Sequence, residues 1–155
     1  MNRKVEIDSL SREEWIRSAK GFSDHNFCQC WDYGVLRAED TGSVSSHAIV
    51  RDDSQLVAMA ECRVKKVPLL GVGIAYASGG PLLHLSDRDP SNALKIALDS
   101  LTDAYVRQRG LVLRLSPRIL RGLIAETTEV FRECGFAQSP MATPTELSSL
   151  TCRLS

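Results

Sequence analysis

Apolar and polar residues alternate at Val5-Glu6-Ile7, which predicts a short first strand. Asp8-Ser9 offers a helix cap, and Ser11 with Glu14 stands at capping-box spacing. A helix over Ser11 to Ser18 follows, with Trp15 and Ile16 as its apolar contacts. From Asn26 to Arg37, Phe27, Cys30, Trp31 and Val35 recur every three or four residues. They predict a second helix, which Gly34 weakens without ending. The middle of the chain changes period. Ser45 to Arg51 reads as a strand, Asp52-Asp53-Ser54 as a turn, and Leu56 to Val64 as the returning arm of an antiparallel hairpin. Val72 to Ser78 is a third strand, ended by Gly79-Gly80-Pro81 and followed by a loop from Leu82 to Asp89.

The longest helical stripe is Ala93, Leu94, Ala97, Leu98, Leu101, Ala104 and Tyr105, which predicts a helix from Pro90 to Gln108 stopped by Gly110. Leu111 to Leu115 has the composition of a strand near the centre of a sheet. Glu126 to Cys134 is a further helix leaving through Gly135-Phe136, and Leu147 to Leu154 a final strand. The order is strand, helix, helix, three strands, helix, strand, helix, strand. It predicts a mixed α/β (α+β) sandwich rather than a doubly wound sheet. Neither a dinucleotide fingerprint nor a P-loop occurs.

With 155 residues, the chain has the size of one domain, and the expectation is a single domain over 1–155. Lys plus Arg and Asp plus Glu number 19 each, so the net charge is zero. That balance argues against direct DNA binding but leaves room for an anionic small ligand held by placed arginines. No apolar run approaches the roughly 18 residues that span a bilayer, and no signal-peptide core follows the basic start, so a cytoplasmic protein is expected. Five cysteines without a disulfide framework fit that compartment.

Three local strings carry a resemblance. Phe27-Cys28-Gln29-Cys30-Trp31-Asp32-Tyr33-Gly34-Val35-Leu36-Arg37 resembles the Fem-like pattern of Phe-x-Gln-Ser followed by an aromatic, Gly, an apolar residue and Lys. Tyr76-Ala77-Ser78-Gly79-Gly80-Pro81 resembles the Tyr-x-x-x-Gly-Pro string of the same family, and Glu133-Cys134-Gly135-Phe136 its last helix exit. The ordered set is similar to the GNAT acyltransferase superfamily, most of all to the first lobe of FemAB-like aminoacyltransferases of peptidoglycan bridges. The resemblance implies a three-layer sandwich with a mixed, mostly antiparallel sheet between helices. It also implies transfer of an acyl or aminoacyl group to an amine in cell-wall biogenesis, with acyl-CoA or aminoacyl-tRNA as donor. The partners implied are an anionic or muropeptide-like acceptor and a second GNAT-like lobe or another copy of the chain. The usual acyl-CoA loop has no glycine match in Pro81 to Ser91, which favours an acceptor-holding role. A non-catalytic binding or partner domain and a stand-alone acetyl-CoA-dependent N-acetyltransferase are the alternatives.

By that resemblance Arg37 takes the place of a lysine that contacts acceptor phosphate, which a guanidinium can hold bidentately. Its bland reading is a solvated helix-end arginine. Tyr76 and Gly80 are candidate cleft residues at a strand end, and His84 in the loop a candidate substrate ligand or base. His25, Cys28 and Cys30 lack a convincing fourth zinc ligand and read as packing residues. The pairs Lys65-Lys66 and Arg118 with Arg121 read as solvated charges, and Glu126 carries no assigned role.

Overall fold

The computed structural model describes residues 2–83, 89–118, 124–138 and 150–152. Its strands are β1 (Arg3–Ile7), β2 (Val44–Asp52), β3 (Gln55–Lys66), β4 (Gly73–Ser78), β5 (Val112–Ser116), β6 (Phe136–Gln138) and β7 (Leu150–Cys152). Its α-helices are α1 (Arg12–Ala19), α2 (Trp31–Thr41), α3 (Pro90–Leu101) and α4 (Ile124–Glu133). The strands form one sheet in the order β1-β2-β3-β4-β5-β7-β6. Every neighbouring pair is antiparallel except β4 and β5, which run parallel from Ile74↔Val112 to Ser78↔Ser116. A parallel pair needs a crossover, and α3 supplies it.

Strand alternation divides the sheet's two faces. Ala58, Ala60 and Cys62 of β3, Ala75 and Ala77 of β4, and Leu113 and Leu115 of β5 are buried against Leu94, Ala97, Leu98 and Leu101 of α3 and Phe131 of α4. On the other face Ile49 and Met59 pack under Trp15 and Ala19 of α1, with Phe22 and Leu82 closing the cluster. The arrangement is the expected three-layer sandwich: helices, mixed sheet, helices.

Local chemistry accounts for the ends of the elements. Ser11 caps α1: its Oγ accepts the Glu14 N–H at 3.3 Å while its own N–H donates to the Glu14 carboxylate at 2.7 Å. Asp8-Ser9, the other expected cap, is not used. Asp8 instead turns the chain at φ 54, and its carboxylate accepts the N–H of His47 at 2.7 Å. The helix expected over Asn26 to Arg37 is corrected to a 3-10 turn, Phe27–Gln29, followed by α2. Two local interactions explain the break. The Asn26 side chain accepts the Cys28 N–H at 3.1 Å, and Cys30 is extended at φ −73, ψ 142. The long helix from Pro90 continues beyond α3 as a π-helical segment, Thr102–Arg107, and ends at Gly110 in the left-handed region. Where only a helix exit was expected at Gly135-Phe136, the chain forms β6 at the sheet edge.

Candidate functional site

A buried amide helps to join the first two layers. β3 and β4 pair from Arg63↔Tyr76 to Lys66↔Gly73 and then part. Into the gap comes the fully buried side chain of Gln29. Its Nε2 donates to the carbonyl of Ser78 at 2.8 Å and to that of Glu61 at 3.2 Å, and its Oε1 accepts the Glu61 N–H at 2.8 Å. Backbone groups that the sheet leaves unpaired are thus satisfied by a side chain. Trp15 Nε1 donates to the Gln29 carbonyl at 3.2 Å, and Asn26 Nδ2 to that of Gly79 at 2.8 Å, so the 26–30 segment is held from both sides. Gly80 lies buried under this amide: a Cβ there would come within 2.6 Å of the Gln29 side chain.

Helix α2 runs along β3. Gly34 rests on the Glu61 side chain, and the Thr41 carbonyl accepts from Lys65 Nζ at 2.8 Å. Trp31 stacks on His47 of β2 with ring centroids 3.7 Å apart and planes 10° apart. Trp31 and Arg37 stand three residues before and after Gly34, hence about 60° to either side of the line facing the sheet. Since Trp31 leans over β2, Arg37 lies on the flank toward β4. Its Nη1 meets Asp40 at 3.2 Å, while its Nε is buried without a hydrogen-bond partner among the described residues. Tyr33, on the same flank, meets the exposed ring of Phe27 edge-on at 5.1 Å.

Beside that flank the sheet carries a polar row. Register places Arg63, Tyr76 and Arg114 directly across from one another on β3, β4 and β5. The Arg63 guanidinium lies 5.1 Å and that of Arg114 5.9 Å from the centre of the Tyr76 ring. Ser78 and Ser116, two residues further along, face each other at the end of the parallel pair. Tyr76, Ser78, Arg114 and Ser116 are all half-buried, while Arg63 is 8% exposed. The result is a row of two guanidiniums flanking a tyrosine ring, a cationic floor on this face of the sheet.

A second group of polar residues is sealed under α2. Glu61 is fully buried; its Oε1 accepts from Ser45 Oγ at 2.9 Å, and its Oε2 has no hydrogen-bond partner among the described residues. Burial pushes its carboxyl up to about 7, against the opposing pulls of Ser45 and Arg63. His47, clasped by Trp31 and Trp15, is pushed down to about 4 by burial, although Asp8 at 3.7 Å favours its charged form. Gly34 is required by this packing, because a Cβ there would lie 2.4 Å from the Glu61 carboxyl carbon. We expect Gly34→Ala to lower stability by about 1 kcal/mol: overpacking of about 2 kcal/mol outweighs the gain of about 1 in helix propensity. In a Glu61→Ala background the same change should become neutral or stabilising. A denaturant double-mutant cycle showing no coupling would refute the contact.

Of the sequence-derived candidates, Tyr76 lies between the guanidiniums of Arg63 and Arg114, Arg37 is ion-paired to Asp40 on α2, and Gly80 lies beneath the Gln29 bridge. His84 falls outside the described residues, as do the other residues of 84–88 within the Pro81 to Ser91 loop. His25 and Cys30 approach to 3.8 Å, but the described residues contain no group of three or more metal-type side chains. No described helix is long and apolar enough to cross a membrane. A groove of about 620 Å³, whose lining includes Ser46, Val64 and Arg109, opens on the sheet's other face and shares no residue with the polar row. Sequence reasoning overlooked Gln29, Glu61, Arg63 and Arg114 as site residues. The visible signal was a charged residue at alternate positions inside otherwise apolar strands, Glu61 and Arg63 in β3 and Arg114 in β5.

No protein-family model and no curated protein matches the sequence. Solved structures do. FemX superposes with a TM-score of 0.69 at 18% identity, over 91% of this chain and 34% of FemX, so the chain spans about a third of that protein's length. Naa50 of Arabidopsis thaliana, solved with the bisubstrate analogue CoA-Ac-MVNAL, gives 0.60 at 13% identity over 97% of this chain and 99% of its own. The Campylobacter jejuni N-acetyltransferase PseH, solved with acetyl coenzyme A, gives 0.58 at 9% identity over 99% and 100%. The layer order, the mixed sheet and these superpositions agree: the chain has the GNAT fold, similar to about a third of FemX.

Proposed function

We propose that this chain is a lobe of the acyl- or aminoacyltransferase type that holds the acceptor for transfer to an amine in cell-envelope or polysaccharide metabolism. The observation that carries the reading is the floor of Arg63, Tyr76 and Arg114, with Arg37 on the flank of α2 turned toward β4. An anionic acceptor laid there would face the end of the parallel β4–β5 pair, where strand ends leave room for a ligand. In such a reaction an amine attacks an activated ester or thioester, acyl-CoA or aminoacyl-tRNA being the donor classes. The protein's part is to position the amine and to stabilise the charge that develops on the carbonyl oxygen. The likeness to a third of FemX supports a partner lobe or a second copy completing the site. A non-catalytic binding or partner domain is the second reading, favoured by the complete burial of Glu61, the carboxylate nearest in sequence to the floor's Arg63.

Calorimetric titration of the chain with acetyl-CoA and with a UDP-linked muropeptide tests the assignment. Binding of the muropeptide alone supports the acceptor role, acetyl-CoA binding points to a stand-alone acetyltransferase, and silence from both favours the non-catalytic reading. Arg37→Ala should weaken muropeptide binding about tenfold, the loss of one charge-assisted contact, without moving the thermal midpoint. Unchanged affinity would remove Arg37 from the site.

A further inference from the structure

We propose that Arg63 and Arg114, set on either side of Tyr76, form a subsite for a doubly charged phosphate-like group of the acceptor, and that Glu61 takes up a proton when this anion binds. The inference rests on the acceptor reading above and deepens it.

Three observations support the subsite. The two guanidiniums and the ring between them are fixed by strand register, not by a mobile loop, so the site is preformed. Arg63 is more than nine-tenths buried, yet its Nε has no hydrogen-bond partner among the described residues. A buried cation with an unused donor is destabilising unless a ligand supplies the acceptor. Arg37, ion-paired to Asp40, sits on the flank of α2 opposite Trp31, the side toward β4.

Glu61 couples to the site through position. It stands two residues from Arg63 on the same face of β3, about 7 Å along the strand. Its carboxylate leans on Gly34 and Ser45, and one of its oxygens is unpartnered among the described residues. The groups around it are defined. On β2 is His47, held neutral by burial, and on β3 are Arg63, the buried Cys62 thiol and Lys65. From α2 come Arg37, ion-paired to Asp40, Asp32, ion-paired to Arg12, and Tyr33, while the thiols of Cys28 and Cys30 flank Gln29. On β4 the facing groups are Tyr76 and the neutral Ser78. Ionised Glu61 partly neutralises Arg63. An arriving dianion repels that carboxylate and raises its proton affinity, so binding draws a proton in from solvent near neutral pH. By reciprocity the protonated protein binds the anion more tightly.

Sulfate is the first probe, because it keeps both charges from pH 5.5 to 8.5. The readout is the NMR signals of the arginine Nε–Hε groups in the intact chain. The Arg63 and Arg114 signals should move on titration, with a dissociation constant about tenfold larger at pH 8.5 than at pH 5.5, equivalent to a one-unit shift of the Glu61 pKa. Glu61→Gln should bind with the tighter constant at both pH values, and Arg63→Gln should lose at least tenfold. Signals that stay still would overturn the subsite, and a pH dependence surviving in Glu61→Gln would overturn the coupling. Two further ligands distinguish the source of the phosphate. Arg63→Gln should weaken uridine diphosphate but spare coenzyme A; equal or greater weakening of coenzyme A overturns the assignment to the acceptor. Sulfate binding as described, with no muropeptide binding, would leave the subsite standing and sink the transferase reading alone.

Discussion

Replacing Gln29 with alanine should destabilise the protein by about 4 kcal/mol, more than any other single change considered for this chain. The deletion strands the carbonyls of Ser78 and Glu61 and the N–H of Glu61, all of which the amide satisfies inside the protein. Each stranded buried group costs about 1–3 kcal/mol, and the vacated volume adds its own penalty, offset in part if water enters. For a chain of this length a loss of about 4 kcal/mol lowers the thermal midpoint by roughly 12 °C. Gln29→Glu should fare little better, because a carboxylate oxygen would replace the Nε2 donor opposite two carbonyls. Calorimetric or denaturant unfolding decides the matter. A loss below about 1 kcal/mol would show that water replaces the amide and that β3 and β4 hold their separation without it.

The functional side of the same variant follows from geometry. The amide fixes where β4 leaves β3, and that point is one step beyond the Arg63–Tyr76 pair. Loss of the bridge should therefore loosen the row on which the proposed anion sits, even at temperatures where the fold survives. Gln29 stands inside the string that resembles the Fem-like pattern, yet spacing alone gives it no role. A glutamine between two cysteines reads as a polar residue on a helix. Only the pairing of β3 with β4 shows that it completes a sheet.

That contrast recurs across the chain. What depends on neighbours in sequence was legible. The Ser11–Glu14 cap, the alternation of β3, the stripe of α3 and the stop at Gly110 are encoded within a few residues of where they act. The mixed sheet between helix layers followed from their order. What depends on partners far away in the chain was not. Phe27, Cys30, Trp31 and Val35 keep helical spacing, but Asn26 and the bridging Gln29 hold a 3-10 turn there, and Phe27 points outward, 64% exposed. β6 is three residues long and exists because β7 lies between it and β5. Arg63, Tyr76 and Arg114 form a row only through two strand registers, one antiparallel and one parallel. Of that row, sequence reasoning reached Tyr76 alone, by resemblance, and treated the strand of Arg114 as apolar core.

Removing Glu61 or His47 should each expose a pH dependence that the intact protein conceals. Glu61 has its carboxyl raised from 4.5 to about 7 in the folded state, so its contribution to stability is fully present below pH 4.5 and is lost as pH rises to 7. His47 is lowered from 6.5 to about 4, so its contribution is fully present above pH 6.5 and is lost as pH falls to 4. Each shift of about 2.5 units corresponds to about 3 kcal/mol. Between pH 4.5 and 6.5 the two slopes are opposite and equal, and stability with respect to these groups is flat. In Glu61→Gln only the histidine slope remains, and unfolding free energy should rise by about 3 kcal/mol from pH 4 to 6.5. In His47→Gln the baseline drops with the loss of the Trp31 stack, but the slope reverses and stability falls from pH 4.5 to 7. Chemical denaturation across that range reads the slopes directly. Two variants with the same slope as the parent would mean that neither group titrates inside the fold. The cancellation has a structural cause: the two are register partners across β2 and β3 under one helix, where the same burial disfavours a negative charge on one and a positive charge on the other.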